Sequence, residues 1–94
     1  MEHKFLIHDP KDSVGVAVAD ISAGETVKGV AMEDHSMVVE IKALNDVPLG
    51  HKIALKDFET GQPVIKYGVQ IGLTRQPIAK GEHVHTHNIK SARW

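Results

Sequence analysis

The heptapeptide Ile21-Ser22-Ala23-Gly24-Glu25-Thr26-Val27 contains a pattern that recurs three more times along the chain. An apolar residue is followed by two residues, a glycine, two more residues and a second apolar residue. Glycine adopts positive φ without steric cost, so each copy predicts a tight turn with its apolar ends anchored in the core. The glycines are irregularly spaced, so the pattern indicates one type of turn, here called a corner, that is used four times, and it excludes a solenoid of regular repeats. The other copies lie at 47–53, 58–64 and 78–84.

Segments between these corners predict short strands. Alternating apolar residues and β-branched side chains favour strands at 14–18 and 37–43. Frequent glycine and proline exclude long helices, and the longest stretch without either, 30–47, contains a turn-like sequence at 33–36. The sequence therefore predicts a compact all-β fold of short strands and glycine turns, with little helix. Further strands are predicted at 4–8, 26–31, 52–55, 63–67 and 83–88.

Composition excludes several classes of protein. A chain of 94 residues predicts a single domain, residues 1–94. The net charge of -1, with no block of one sign, argues against a nucleic acid or an anionic membrane as partner. The absence of cysteine excludes disulfides, thiolate catalysis and cysteine-ligated metal clusters. No apolar stretch approaches the roughly 18 residues of a membrane span, so a cytoplasmic location is expected.

Histidine is over-represented, with seven residues against four Phe, Tyr and Trp together. If segment 83–88 is a strand, then His83, His85 and His87 project from one face, where alternate imidazoles could chelate one divalent metal ion. The alternative is a polar strand edge that faces water or a partner chain. The sequence leaves both open, and the metal ligands stay unknown. His3 and His35 are expected at the surface.

Two other segments carry candidate groups. His51 and Lys52 directly follow a corner glycine and could offer a proton carrier and a cation for a carboxylate, although a solvated turn is the alternative. Lys66 is expected to face away from the core, whereas Tyr67 is expected to bury its ring and keep its hydroxyl for a hydrogen bond. Tyr67 could equally pack and cap a backbone carbonyl. His8 is a weaker candidate for a functional residue.

Taken in order, four segments of the chain resemble the SAF domain of the altronate and galactarate dehydratase family. They are 7–17, Gly50-His51-Lys52-Ile53-Ala54-Leu55, the segment 64–72 with its Lys66-Tyr67-Gly68, and Gly81-Glu82-His83-Val84-His85-Thr86-His87-Asn88. Ser13 departs from the family pattern, in which asparagine commonly follows the aspartate. The resemblance implies a β-clip fold and a cytoplasmic, iron-dependent lyase. The chain ends at Trp94, so it looks like the separate small subunit that some members pair with a large one.

The resemblance also implies an activity on a small 2-hydroxy acid. Elimination of sulfite from (2R)-sulfolactate to give pyruvate is the favoured reaction, loss of water from altronate is the alternative, and a non-catalytic binding or assembly module is the alternative from another class. The chain is expected to be inactive without its large subunit, which would bind most of the iron (Fe²⁺). An isolated chain could self-associate. The expected site consists of His51, His85 and His87 as catalytic groups and Lys52, Lys66, Tyr67 and Asn88 as substrate-binding groups.

Overall fold

The computed structural model describes residues 3–33 and 36–91, and those residues contain nine short strands and no helix. The all-β class expected from the sequence is confirmed. The expected turn at 33–36 includes Asp34 and His35, which lie outside the described residues. The strands are β1 Phe5–Ile7, β2 Val14–Ala17, β3 Thr26–Ala31, β4 Val38–Lys42, β5 Lys52–Ala54, β6 Pro63–Lys66, β7 Val69–Thr74, β8 His83–Val84 and β9 Ile89–Ser91.

The strands form two sheets. One has six strands in the order β4-β3-β1-β2-β5-β8, and the other has three in the order β6-β7-β9. Strand β1 pairs in parallel with β3, whereas its pairing with β2 and the other pairings are antiparallel. Ser13 links the sheets, because its hydroxyl accepts the N–H of Ile65 and its own N–H donates to the Ile65 carbonyl. This order places β5 and β8 next to each other at one edge.

The four predicted corners are present. Their glycines all have positive φ, at 87° for Gly24, 85° for Gly50, 81° for Gly61 and 93° for Gly81. The flanking apolar residues of every corner are no more than 3% exposed, so they anchor the turns in the core as expected. The corners also associate in pairs through antiparallel bridges, the first with the second and the third with the fourth. The bridging residues are Ile21 with Val47, and Phe58 with Ile78.

One strand prediction is wrong, and two strands, β7 and β9, are not predicted by the sequence. The strand expected at 83–88 ends at Val84, and residues 85–88 form a turn in which the N–H groups of Asn88 and Ile89 both donate to the His85 carbonyl. A period-two pattern of side chains is therefore not what brings the histidines together. Within the described residues no helix is long and apolar enough to cross a membrane.

Candidate functional site

The candidate site includes His51 and Lys52, two polar residues of the corner at 47–53 that lie directly before and at the start of β5. Strand β5 pairs with β8, and Ile53 lies opposite His83. Two segments more than 30 residues apart thereby bring their histidines into contact. The Nδ1 atom of His51 and the Nε2 atom of His83 lie 2.8 Å apart, a hydrogen-bond distance.

Three imidazoles, from His51, His83 and His85, form what we call the histidine cluster. The rings of His51 and His85 are stacked with centroids 4.3 Å apart, and the other two pairs of centroids lie 5.0 Å and 5.7 Å apart. One nitrogen from each ring lies within 4.8 Å of the others, and all three residues are half-buried. His87 is at the edge, with its ring 5.2 Å from that of His83. The described residues thus include a group that can hold a metal ion.

Asn88 holds the turn that carries His85. Its side chain is 2% exposed; Oδ1 accepts the N–H of His85 at 2.9 Å, and Nδ2 donates to the His83 carbonyl at 2.8 Å. The N–H of His83 in turn donates to Oδ1 of Asn45. Because its amide is buried and used by backbone groups, Asn88 lies in a bracing position behind the cluster. The sequence predicted a substrate contact, and this placement favours a positioning role instead.

The electrostatics of the cluster favour neutral imidazoles. Burial lowers the pKa of His83, and the neighbouring charges of His51, His87, His85 and Lys52 lower it further. Burial likewise lowers the pKa of His85, followed by the charges of His51, Lys52 and His87. Because burial disfavours a charged imidazole and the neighbours repel one, His83 and His85 favour the neutral form, which has a free nitrogen lone pair. Such nitrogens can accept a proton or bind a metal ion.

A pair of lysines extends the site away from the cluster. Burial lowers the pKa of Lys52, and the charge of Lys66 lowers it further. Lys52 also acts on His83 and His85, so the two lysines and the cluster form one electrostatically coupled surface. Like charges held this close favour binding of an anion, whose charge relieves their repulsion. The structure therefore brings together the predicted residues His51, Lys52, Lys66 and His85.

Tyr67 lies at the tip of the β6–β7 hairpin. It and Gly68 form a two-residue turn with positive φ at both positions, 55° and 71°, which is typical of a type I′ hairpin. Asp12 supports the turn, because its Oδ1 accepts the Gly68 N–H at 2.9 Å. The Tyr67 ring stacks on that of His8 at 4.2 Å, and the Lys66 ammonium lies 5.2 Å from its centre. Tyr67 is nonetheless 60% exposed, so the expectation that it buries its ring is wrong.

Sequence reasoning underrated two residues of this surface. His83 is not among the catalytic groups expected from the sequence, yet its ring contacts the rings of the three histidines that are. Its place opposite Ile53 depends on strand pairing, which no local pattern reveals. Asp12 was noted only as part of a family motif, and its contact with Gly68 spans 56 positions of sequence.

An apolar concavity of about 450 Å³ lies elsewhere on the surface. It is lined by His3, Leu6, Val30 and Met32, from or beside β1 and β3, and includes none of the cluster. The histidines and lysines instead lie on a half-buried to exposed surface outside this concavity.

Comparison with known proteins identifies the family. The family model of the altronate/galactarate dehydratase SAF domain matches residues 3–92. The chain is 43% identical to (2R)-sulfolactate sulfo-lyase subunit alpha of Chromohalobacter salexigens over the whole length of both chains. It is 48% identical to the protein of the same name from Paracoccus pantotrophus, over 57% of this chain and 81% of that one.

A more distant similarity connects the chain with much longer enzymes. It is 38% identical to altronate dehydratase of Bacillus subtilis over 93% of its own length, but this covers only 16% of that relative. The match to the family model spans all nine strands and every residue of the coupled surface. The chain belongs to the family of altronate/galactarate dehydratase SAF domains.

Proposed function

We propose that the chain is the small subunit of a two-subunit carbon–sulfur lyase that eliminates sulfite from (2R)-sulfolactate to give pyruvate. The whole-length similarity to a protein named as subunit alpha of such a lyase supports both the reaction and the existence of a partner subunit. The observation that carries a catalytic role is the grouping of three imidazoles near Lys52, whose charge acts on His83 and His85 and is itself repelled by Lys66. The large subunit would cover the surface that carries these residues, in the cytoplasm.

The reaction needs a base and a place for negative charge. A base removes the proton from the carbon that carries the hydroxyl, the carbon–sulfur bond breaks, and its electron pair leaves with sulfite. The resulting enol takes a proton on its terminal carbon, releases its hydroxyl proton and becomes pyruvate. The imidazoles of His51, His85 and His87 are suited to carry these protons, because imidazole as a chemical group can both accept and donate a proton in the physiological pH range.

The lysines and the tyrosine would orient the substrate. Lys52 and Lys66 are placed to attract the carboxylate or the sulfonate, and their mutual repulsion makes the bound anion more favourable. The exposed hydroxyl of Tyr67 can donate a hydrogen bond at the same side. An iron ion held mainly by the large subunit would supply Lewis-acid stabilisation of the enolate-like charge.

The similarity to altronate dehydratase supports a second candidate, a small subunit of a sugar-acid dehydratase that removes water instead of sulfite. Both reactions are eliminations β to a carboxylate, so the same imidazoles and lysines serve either one. A non-catalytic assembly module is the remaining candidate. It would use the open surface only for contact with the partner.

Co-expression with a large subunit of a (2R)-sulfolactate sulfo-lyase tests the proposal. The purified complex should release sulfite and pyruvate from (2R)-sulfolactate, whereas water loss from altronate would favour the second candidate. The variants Lys52→Ala and His87→Ala should assemble normally and lose at least about 100-fold in turnover. Lys80→Ala, an exposed lysine of the fourth corner, is the control. Wild-type turnover in both variants would overturn the shared site, and variants that fail to assemble would indicate the assembly module.

A further inference from the structure

We infer that the histidine cluster is itself a binding site for one divalent transition-metal ion, held by one nitrogen from each of His51, His83 and His85. The inference rests on the proposed function and deepens it, because the proposed lyase binds its iron mainly through the large subunit. It places a second or shared ion on this chain. Its evidence is the geometry of the cluster and does not depend on the substrate.

The spacing of the three rings fits a common ion. Nitrogens bound at about 2.1 Å to one ion lie roughly 3.0 to 4.2 Å apart, in tetrahedral or octahedral geometry. Here the Nδ1 of His51 and the Nε2 of His83 are 2.8 Å apart, and the whole set of nitrogens spans at most 4.8 Å. Side-chain movements of less than about 1 Å would therefore complete the site, a range that rotamer adjustment covers.

The backbone on which the three ligands lie is held by specific contacts. The corner glycine and the buried anchors Val47 and Ile53 hold the backbone at His51, directly before β5. Asn45 and Asn88 bond to the N–H and the carbonyl of His83, and Asn88 also accepts the N–H of His85. Because the ligands are held in place before the ion arrives, little ordering entropy opposes binding. Supporting contacts of this kind are typical of metal sites.

The protonation state of the cluster also suits a metal ion. Imidazole binds metals only in its neutral form, and the half-buried position of the three rings disfavours the charged form. The hydrogen bond between His51 and His83 needs a proton on one of the two facing nitrogens. When the ion binds, that proton would move to the other nitrogen of its own ring, and the ion would replace the hydrogen bond between the two rings.

The donor set and its neighbours indicate which ions and which further ligands the site takes. Three imidazoles favour Zn²⁺, Ni²⁺, Co²⁺ or Fe²⁺ over Mg²⁺ and Ca²⁺, which prefer oxygen. Three protein ligands leave at least one coordination position open. The charges of Lys52 and Lys66 weaken attraction for the bare cation and favour an anionic oxygen ligand at the open position. The loaded site would thus accept the carboxylate or hydroxyl oxygen of a small hydroxy acid.

Calorimetric titration of the tag-free, chelator-stripped chain with Ni²⁺, Co²⁺ and Mg²⁺ tests the inference. One Ni²⁺ should bind per chain, more tightly than Co²⁺, and Mg²⁺ should not bind. His83→Gln and His85→Gln should each weaken Ni²⁺ binding by at least about 100-fold. His87→Gln and His3→Gln are matched controls that keep the cluster intact and should leave the Ni²⁺ affinity unchanged. Ni²⁺ should also raise the Tm of the wild-type chain but not of His83→Gln.

The result is read without the large subunit or a substrate, so a wrong substrate assignment leaves it unchanged. Equal weakening by His87→Gln and His83→Gln would show loose binding to surface imidazoles and overturn the inference, as would more than one Ni²⁺ per chain. No binding would overturn it too, while the lyase proposal would keep its histidines as proton carriers. If the variants do not fold, broadening of wild-type ring resonances by Co²⁺ decides instead. Broadening that is strongest at His51, His83 and His85 and absent at His3 supports the site, and uniform broadening of all histidines rejects it.

Discussion

Pro48 and His51 occupy the two positions of the second corner that are joined by a hydrogen bond from backbone to side chain in each of the other three corners. In each of those three corners, the residue after the glycine uses a side-chain oxygen to accept a hydrogen bond. The donor is the backbone N–H of the residue that follows the first apolar anchor. These pairs are Glu25 with Ser22, Gln62 with Glu59, and Glu82 with Ala79. Pro48 has no N–H to donate, so the side chain at position 51 has no such role. This releases the imidazole of His51 to stack on His85 and to contact His83.

A double-mutant cycle tests this account of the corner. In the Pro48→Ala background, His51→Glu gains the missing hydrogen bond, whereas with Pro48 present the new carboxylate has no N–H to accept. His51→Glu should therefore be more stabilising, or less destabilising, by about 1 kcal/mol in the Pro48→Ala background than in the chain with Pro48. Chemical denaturation of the four proteins measures the coupling. A coupling of zero would show that Pro48 does not determine the role of His51.

The corners show what a sequence reveals most readily about this fold. Glycine between apolar anchors is a local signal, since both the backbone conformation and the burial follow from the residues themselves. The histidine surface is different. It depends on the pairing of β5 with β8 and on the bonds of Asn88 to nearby backbone, and neither is readable from residue spacing. Alternation correctly drew attention to His83 and His85, but for the wrong structural reason.

The tip of the β6–β7 hairpin illustrates a second limit. Apolar alternation suggested that Tyr67 buries its ring, but a two-residue turn placed the residue at positive φ and left it exposed. Non-glycine residues rarely adopt that conformation, so the pattern gave no reason to expect it. The stabilising contact is the hydrogen bond from Gly68 to Asp12, far away in sequence.

Two corner glycines should differ in their tolerance of alanine. At Gly50 a Cβ would meet nothing within 4 Å, so Gly50→Ala should cost only the strain of positive φ, about 1 to 2 kcal/mol. At Gly81 the Cβ would lie 2.2 Å from the backbone oxygen of Lys42, which belongs to a strand and cannot easily move. Gly81→Ala should therefore lower the Tm distinctly more than Gly50→Ala. Similar Tm values would contradict the close approach of Gly81 to β4.

Removal of the Asn88 amide should separate its positioning role from a substrate contact. Asn88→Ala leaves the N–H of His85 and the carbonyl of His83 without their partners in a buried place, and should destabilise the chain by about 1 to 3 kcal/mol. Thr86→Ala, in an exposed position of the same turn, is the control and should be nearly neutral. Urea denaturation of the isolated chain measures both. Wild-type stability of Asn88→Ala with a raised KM in the complex would favour the substrate contact.

The coupling between the two lysines gives a prediction about pH. Lys66 lowers the pKa of Lys52 by repelling its charged form, so Lys66→Gln should raise that pKa toward the ordinary lysine value, while burial keeps it somewhat below. At a fixed pH between neutrality and 10, the neutral amine of Lys52 should then be scarcer and its acylation by an amine reagent slower. Mass spectrometry of Lys52 modification over a pH series measures the shift, and Lys80→Gln should leave the curve unchanged. An unaltered curve in Lys66→Gln would mean that the ammonium groups do not interact, and the anion site proposed between them would lose its electrostatic basis.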